Sequence, residues 1–214
     1  MAPRLLKLTA PIGKEGEFRS LVGRMPGEFA AGEKADAVAV YFSGQTALLL
    51  LQDEGEGPFA DLQATEEGRL WVEDLGRVAL FDPDRWNRHE IPLAPIPLGE
   101  DEAVMRARYL PNLLLFHVEP GKAPLLKEGL ASLPWSTVSG GAFLPFLSED
   151  TLVLLFDSPT DPPWEGLFGG DAGECLLGAL RLGTNFEEAS LEGHLTKEAR
   201  IAPTTPANVM RYAD

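Results

Sequence analysis

The sequence predicts an α+β protein made of two tandem βαββαβ repeats whose antiparallel sheets face each other. Three observations lead there. The chain contains an approximate copy of itself, each copy runs through strand and helix periodicities in the same order, and the strands are apolar on both faces.

The copy shows when "PRLLKLTAPIGK" (3–14) is laid over "PNLLLFHVEPGK" (111–122). Pro3 meets Pro111, Leu5 and Leu6 meet Leu113 and Leu114, and Gly13-Lys14 meets Gly121-Lys122. Phe18, Val22 and Met25 then correspond to Leu126, Leu130 and Leu133, with Pro26 and Pro134 following. After a shift of three residues, "YFSGQTALLLLQD" (41–53) overlies "FLSEDTLVLLFD" (146–157), placing Ser43 and Thr46 on Ser148 and Thr151. Gly68 falls on Gly173, Phe81 on Phe186, and "VMR" at 104–106 recurs at 209–211. Preserved order at a near-constant spacing of about 105 residues is the signature of an internal duplication, here 1–109 and 110–214.

Each element follows from local pattern. The opening run, "LLKLTAPIGK", reads as an apolar strand running toward its Gly-Lys pair. Phe18, Leu21, Val22, Met25 and Phe29 recur at helical spacing over 15–29. "DAVAVYF" and "TALLLLQD" flank a Ser-Gly-Gln link and read as a hairpin, Gly44 being free to take positive φ. Residues 59–82 predict a second helical region with Leu70, Trp71, Leu75, Val78 and Ala79 on one stripe, weakened by Gly68 and Gly76. The proline-rich "IPLAPIPLG" (91–99) reads as an extended connector. "AVMRARYL" (103–110) then reads as the fourth strand or, with acids before it and arginines within, as a short helix.

The order β-α-β-β-α-β is the ferredoxin-like unit. An open sheet of that kind has helices on one face only, yet "LLLF", "ALLLL" and "LVLLF" do not alternate. Two such sheets placed face to face bury both sides of every strand. In this the chain resembles the dimeric α+β barrel superfamily, in which two ferredoxin-like units, from separate chains or fused in tandem, close one barrel. That resemblance rests on topology and covers nearly the whole chain. It implies relatives as varied as antibiotic-biosynthesis-type monooxygenases, heme-degrading enzymes, chlorite dismutase-like heme proteins and mutarotases. "EEGRLWVEDL" (66–75) is faintly similar to the Trp-containing helix of sugar mutarotases, but the second copy has "DAGECLLGAL" instead. Fold likeness names candidates and selects none.

Bulk composition excludes several classes. A net charge of −15, spread over both halves, argues against nucleic acid or an anionic membrane as partner. The lone Cys175 forms no disulfide within the chain and no CxxC motif. The opening residues lack a signal-peptide pattern and no apolar run approaches the ~20 residues of a membrane helix, so a cytoplasmic location is expected, as monomer or homodimer. Neither "GK" pair sits in a GxxxxGK[ST] frame, and "SGG" (139–141) is not GxSxG.

Strand alternation sorts the candidate site residues. Leu6, Leu8 and Ala10, like Leu114, Phe116 and Val118, suit the helix side. The other face carries Leu5, Lys7 and Thr9 in the first copy and Leu113, Leu115 and His117 in the second. Gln52 and Asp157 end the equivalent third strands. Lys7, Thr9, His117, Gln52 and Asp157 are therefore the expected ligand-binding set, polar groups fitted to a leucine-lined cavity. His117 is the candidate catalytic base, because imidazole is the side chain suited to proton transfer near neutral pH. The alternative for each is structural: a hydrogen-bonded strand-end histidine, a snorkelling lysine, polar strand caps. The three histidines, at 89, 117 and 194, show no metal-ligand spacing, and His194/Glu198 at i, i+4 stands alone. No metal or cofactor is expected.

Three functions stay open at this point. One is a protein binding a small, largely apolar molecule in or at the barrel. A second is an enzyme of the same fold: a cofactor-free monooxygenase or isomerase using His117, or a heme protein with His117 or His194 as axial ligand. The third is a non-catalytic interaction protein whose barrel is filled by its own leucines.

Overall fold

The structure is a computed structural model. It describes residues 4–26, 38–43, 45–51, 63–82, 90–92, 94–96, 110, 112–133, 143–157, 160, 163–186 and 195–197. The chain divides into two compact units, Met1–Pro92 with Ala199–Asp214, and Leu93–Glu198.

Unit 1 runs β1 (Arg4–Thr9), α1 (Glu15–Val22), β2 (Val38–Ser43), β3 (Thr46–Leu51), α2 (Glu66–Val78) and β4 (Glu90–Pro92). Its sheet is antiparallel in the order β4-β1-β3-β2. Unit 2 opens with the two-residue edge strand β5 (Ala94–Pro95). It then runs β6 (Asn112–His117), α3 (Ala123–Ala131), β7 (Phe143–Leu147), β8 (Thr151–Phe156), α4 (Pro163–Phe168), α5 (Gly170–Gly183) and β9 (Leu195–Lys197). Its order is β9-β6-β8-β7, with β5 added outside β7. Both units thus have the ferredoxin-like order, with the first strand central and the fourth beside it.

The β–α corners explain the repeated glycine. Lys14 N–H donates to the Pro11 carbonyl (3.1 Å) and Lys122 N–H to the Glu119 carbonyl (2.9 Å), each closing a four-residue turn. The third residue is Gly13 at φ +85° or Gly121 at φ +78°, as a type II turn requires. The shared "GK" is therefore turn chemistry.

Three expectations need correction. The helix read over 15–29 stops at Val22, and Phe29 lies outside the described residues. Leu70 is exposed rather than on the buried stripe; Gly68, Trp71, Val72, Leu75 and Val78 make that stripe, because 70 and 71 project about 100° apart. The fourth strand of unit 1 is Glu90–Pro92, paired with β1, in the stretch read as a connector. Prolines are tolerated there because β4 and β5 are edge strands, where one side of the backbone needs no donor. Residues 103–109 lie outside the described residues, as do Gly44 and the second "VMR".

Each unit has a core between helices and sheet. In unit 1 Leu6, Leu8, Ala10 and Leu49 pack with Phe18, Trp71, Val72 and Leu75. Trp71 also donates its indole N–H to the Leu21 carbonyl (2.9 Å), tying α2 to the end of α1. In unit 2 Leu114, Phe116, Leu152, Leu154 and Phe156 pack with Leu126, Leu130, Leu176 and Leu180. The opposite, non-helical faces are closed as well. Leu5, Tyr41, Leu48 and Leu50, and in unit 2 Leu113, Val153 and Leu155, are all at most 2% exposed.

Helix α5 offers a test of this packing. A Cβ added to Gly173 would run into the backbone of Phe168, closer than real Cβ atoms come, whereas one added to Gly178 meets nothing within 4 Å. Gly173→Ala is expected to cost about 2–3 kcal/mol or more, and Gly178→Ala to stabilise by about 0.5–1 kcal/mol. Urea unfolding of the two variants beside the parent reads both signs.

Candidate functional site

The non-helical face of each sheet is graded from one end to the other. In unit 1 the register sets Leu5 opposite Leu50, Lys7 opposite Leu48, and Thr9 opposite Thr46. Leu5, Leu50 and Leu48 are buried, Lys7 is exposed, and Thr9 and Thr46 are half-buried. In unit 2 Leu113 pairs with Leu155, Leu115 with Val153 and His117 with Thr151. Leu113 is buried, Leu115 half-buried and His117 exposed. Along β1 and β6 each face is thus aliphatic and shut at one end and more exposed where the strand runs into its helix, while Leu48 opposite Lys7 and Thr151 opposite His117 stay buried. The polar residues of the first strands gather at that open end.

The two open ends are held by matching backbone bonds. Ala10 N–H donates to the Gln45 carbonyl (2.7 Å), as Val118 N–H does to the Asp150 carbonyl (2.8 Å). Leu80 N–H donates to the Thr9 carbonyl (2.7 Å), as Asn185 N–H does to the His117 carbonyl (3.4 Å). Thr9 and His117 are therefore structural equivalents, and so are Gln45 and Asp150.

The side chains differ. In unit 2 Asp150 gathers its neighbours: Ser148 Oγ and Thr151 Oγ1 each donate to its Oδ1 at 3.0 Å, and His117 Nδ1–H donates to its carbonyl at 2.9 Å. A carbonyl only accepts, so this bond puts the neutral imidazole's proton on Nδ1 and leaves the Nε2 lone pair free. In unit 1 Gln45 turns away, its Nε2 donating to Glu15 Oε1 (2.8 Å), which also accepts from Gly13 N–H (3.1 Å). Those bonds hold the Glu15 carboxyl below its ordinary value, the Gln45 amide first and the backbone amides after it. Among the described residues none is bonded to the Lys7 ammonium or to the Thr9 and Thr46 hydroxyls.

The expected set is only partly assembled. Lys7 and Thr9 share one face of β1, with Thr46 joining them across the strand pair. Asp157 is exposed just past the β8 end at Phe156, whereas His117 pairs with Thr151 at the β8 start. Six residues of strand separate them, about 20 Å, so unit 2 does not bring this acid to this histidine. Gln52 and His194 lie outside the described residues. Sequence reading missed Thr46 and Asp150 as site residues, although the match of Ser43 and Thr46 to Ser148 and Thr151 marked that corner. Among the described residues no group of three or more His, Cys, Asp or Glu could hold a metal ion. No described helix is long and apolar enough to cross a membrane.

No protein-family model matches the chain, and no curated protein matches it. Solved structures do. One is a "putative monooxygenase" from Lactobacillus acidophilus NCFM, 13% identical, TM-score 0.51, covering 94% of this chain and 93% of that one. A second bears the same description, from Fusobacterium nucleatum subsp. nucleatum ATCC 25586, at 9% identity and TM-score 0.56, covering 92% and 90%. An anthrone oxidase-like protein aligns at 14% identity and TM-score 0.49, over 87% of each chain. At such identities the first two likenesses show the shared α+β fold.

Two outcomes follow from the geometry. The Glu15 carboxyl, followed by NMR, titrates below an ordinary glutamate and moves back up in Gln45→Ala. Being lowered on folding, it favours the native state above the unfolded-state pKa and ceases to as pH falls through the folded one. For His117, nitrogen-15 shifts of the neutral ring show a protonated Nδ1 and a bare Nε2. The opposite tautomer contradicts the Asp150 bond.

Proposed function

We propose that the protein binds a small, largely apolar molecule at the open end of a sheet's non-helical face. The observation that carries this is the gradient itself: a shut aliphatic floor of leucines that opens where Lys7, Thr9 and Thr46 stand. A mainly apolar surface with a few convergent polar groups is the ordinary chemistry of a ligand site. We place the site in unit 1, where no described residue bonds these polar groups, while those of unit 2 are engaged with Asp150.

A second reading is an enzyme of this fold acting on the bound molecule, in keeping with the monooxygenase description of the structural neighbours. One observation favours it. The Asp150 bond orients the exposed His117 ring and leaves Nε2 able to accept a proton from a substrate. In that reading His117 is the general base and dioxygen the oxidant.

We also propose that the two units descend from one duplicated ancestor. Supporting this are the shared strand order, the paired glycine turns, the matching bonds at Thr9 and His117, and equivalent core positions such as Leu75 and Leu180.

The binding reading is tested with the neutral dye N-phenyl-1-naphthylamine, which brightens on leaving water. It is expected to bind the parent protein and to bind about tenfold more weakly, or not at all, when Thr9→Trp fills the open end. Leu70→Gln, at an exposed helix position, should change nothing. Absence of binding to the folded parent, or equal binding by Thr9→Trp, overturns the reading.

A further inference from the structure

We infer that the ligand carries an ionised carboxylate, and that Lys7, Thr9 and Thr46 of unit 1 form the head-group site that selects it. This rests on the binding reading above and adds the ligand's chemical class. Three donors converge on one patch of sheet. Lys7 and Thr9 are two apart on β1 and so share a face, and Thr46 stands directly opposite Thr9 in the antiparallel register. Together they offer one ammonium and two hydroxyls, a set that matches the two oxygens of a carboxylate. Among the described residues none is bonded to these side chains.

The equivalent patch of unit 2 shows what a non-binding version looks like. Leu115 replaces the lysine, and Thr151 Oγ1 is already donated to Asp150 Oδ1. The divergence comes down to the hairpin residue: Asp150 takes the Thr151 hydroxyl in unit 2, whereas in unit 1 Gln45 bonds Glu15 and no described residue bonds the Thr46 hydroxyl. Charge sharpens the point. A chain of net charge −15 repels anions in general, so a preference for one needs a local cation on the binding face. Lys7 supplies it, exposed at the margin of the buried Leu5 and Leu48.

The test separates this inference from the reading beneath it. N-phenyl-1-naphthylamine reports occupancy, and decanoate and decan-1-ol compete for it at pH 8. The alcohol is the more hydrophobic of the pair and should win at a site without a cation. At the parent protein decanoate is expected to displace the dye at about tenfold lower concentration than decanol. In Lys7→Met the order reverses, the two displacing concentrations being compared on the same variant; Lys7→Arg keeps the carboxylate preference, and so does Leu70→Gln at its exposed helix position. Failure of the dye to bind overturns both the reading and the inference. If the dye binds but decanol matches or beats decanoate, or if Lys7→Met leaves the preference intact, the inference falls and the binding reading stands. A parallel loss of dye and decanoate in Lys7→Met also overturns it, since Lys7 would then act on the site as a whole. Far-UV circular dichroism confirms that each variant is folded.

Discussion

Burial of both faces of both sheets is the constraint on which the rest of the structure depends. A leucine moved from water into a core contributes about 1.5–3 kcal/mol, and a ferredoxin-like sheet normally collects that on its helix side alone. Here Leu6, Leu8 and Leu49 collect it beneath α1 and α2, and Leu5, Leu48 and Leu50 collect it on the reverse face as well. The strands must therefore be apolar at successive positions, which is why "ALLLL" and "LVLLF" lack alternation. A polar group in such a sheet either reaches solvent, as Lys7 and His117 do, or is hydrogen-bonded where it is buried, as Thr151 is to Asp150. Lys7, Thr9 and His117 stand toward the solvent end of their strands, so the place of these candidate residues follows from the packing.

Equivalent scaffolds then diverge through single residues at one corner. Gln45 and Asp150 accept the same backbone bond, from Ala10 and from Val118. Asp150 adds a carboxylate that draws in Ser148 and Thr151 and fixes the His117 ring through its carbonyl. Gln45 instead reaches Glu15 at the start of α1. One corner becomes a closed hydrogen-bond network around an exposed imidazole. In the other no described residue bonds the Lys7 ammonium or the Thr9 and Thr46 hydroxyls. Two corners of different chemistry fit one strand order, because the sheet holds its shape while the corner residues change.

Much of this was legible in the chain. The aligned Gly13-Lys14 and Gly121-Lys122 marked equivalent corners without showing their turn type, and the hydrophobic positions at 18, 22, 126 and 130 are the ones that pack. Strand alternation placed Lys7, Thr9 and His117 on the non-helical face, where the structure has them. Legibility failed where short range does not decide. The edge strands β4 and β5 hide in a proline-rich stretch, because an edge strand relaxes the rule that normally excludes proline. Leu70 read as core because a single apolar residue one step off a helical stripe carries no label of its own. The separation of Asp157 from His117 depends on register, and the engagement of Asp150 with its neighbours depends on a corner's side-chain geometry; neither is a property of residue type.

The claim at the centre is that ligand enters at the open end of unit 1's reverse face. Backbone amide shifts of the labelled protein, followed while N-phenyl-1-naphthylamine is added, test it most directly. The expected result is a set of shifts centred on Lys7, Leu48, Thr9 and Thr46, with the α2 positions Leu70 and Arg77 unmoved. Shifts confined to the helices, or to the exposed Ile12 and Leu80, would contradict the account.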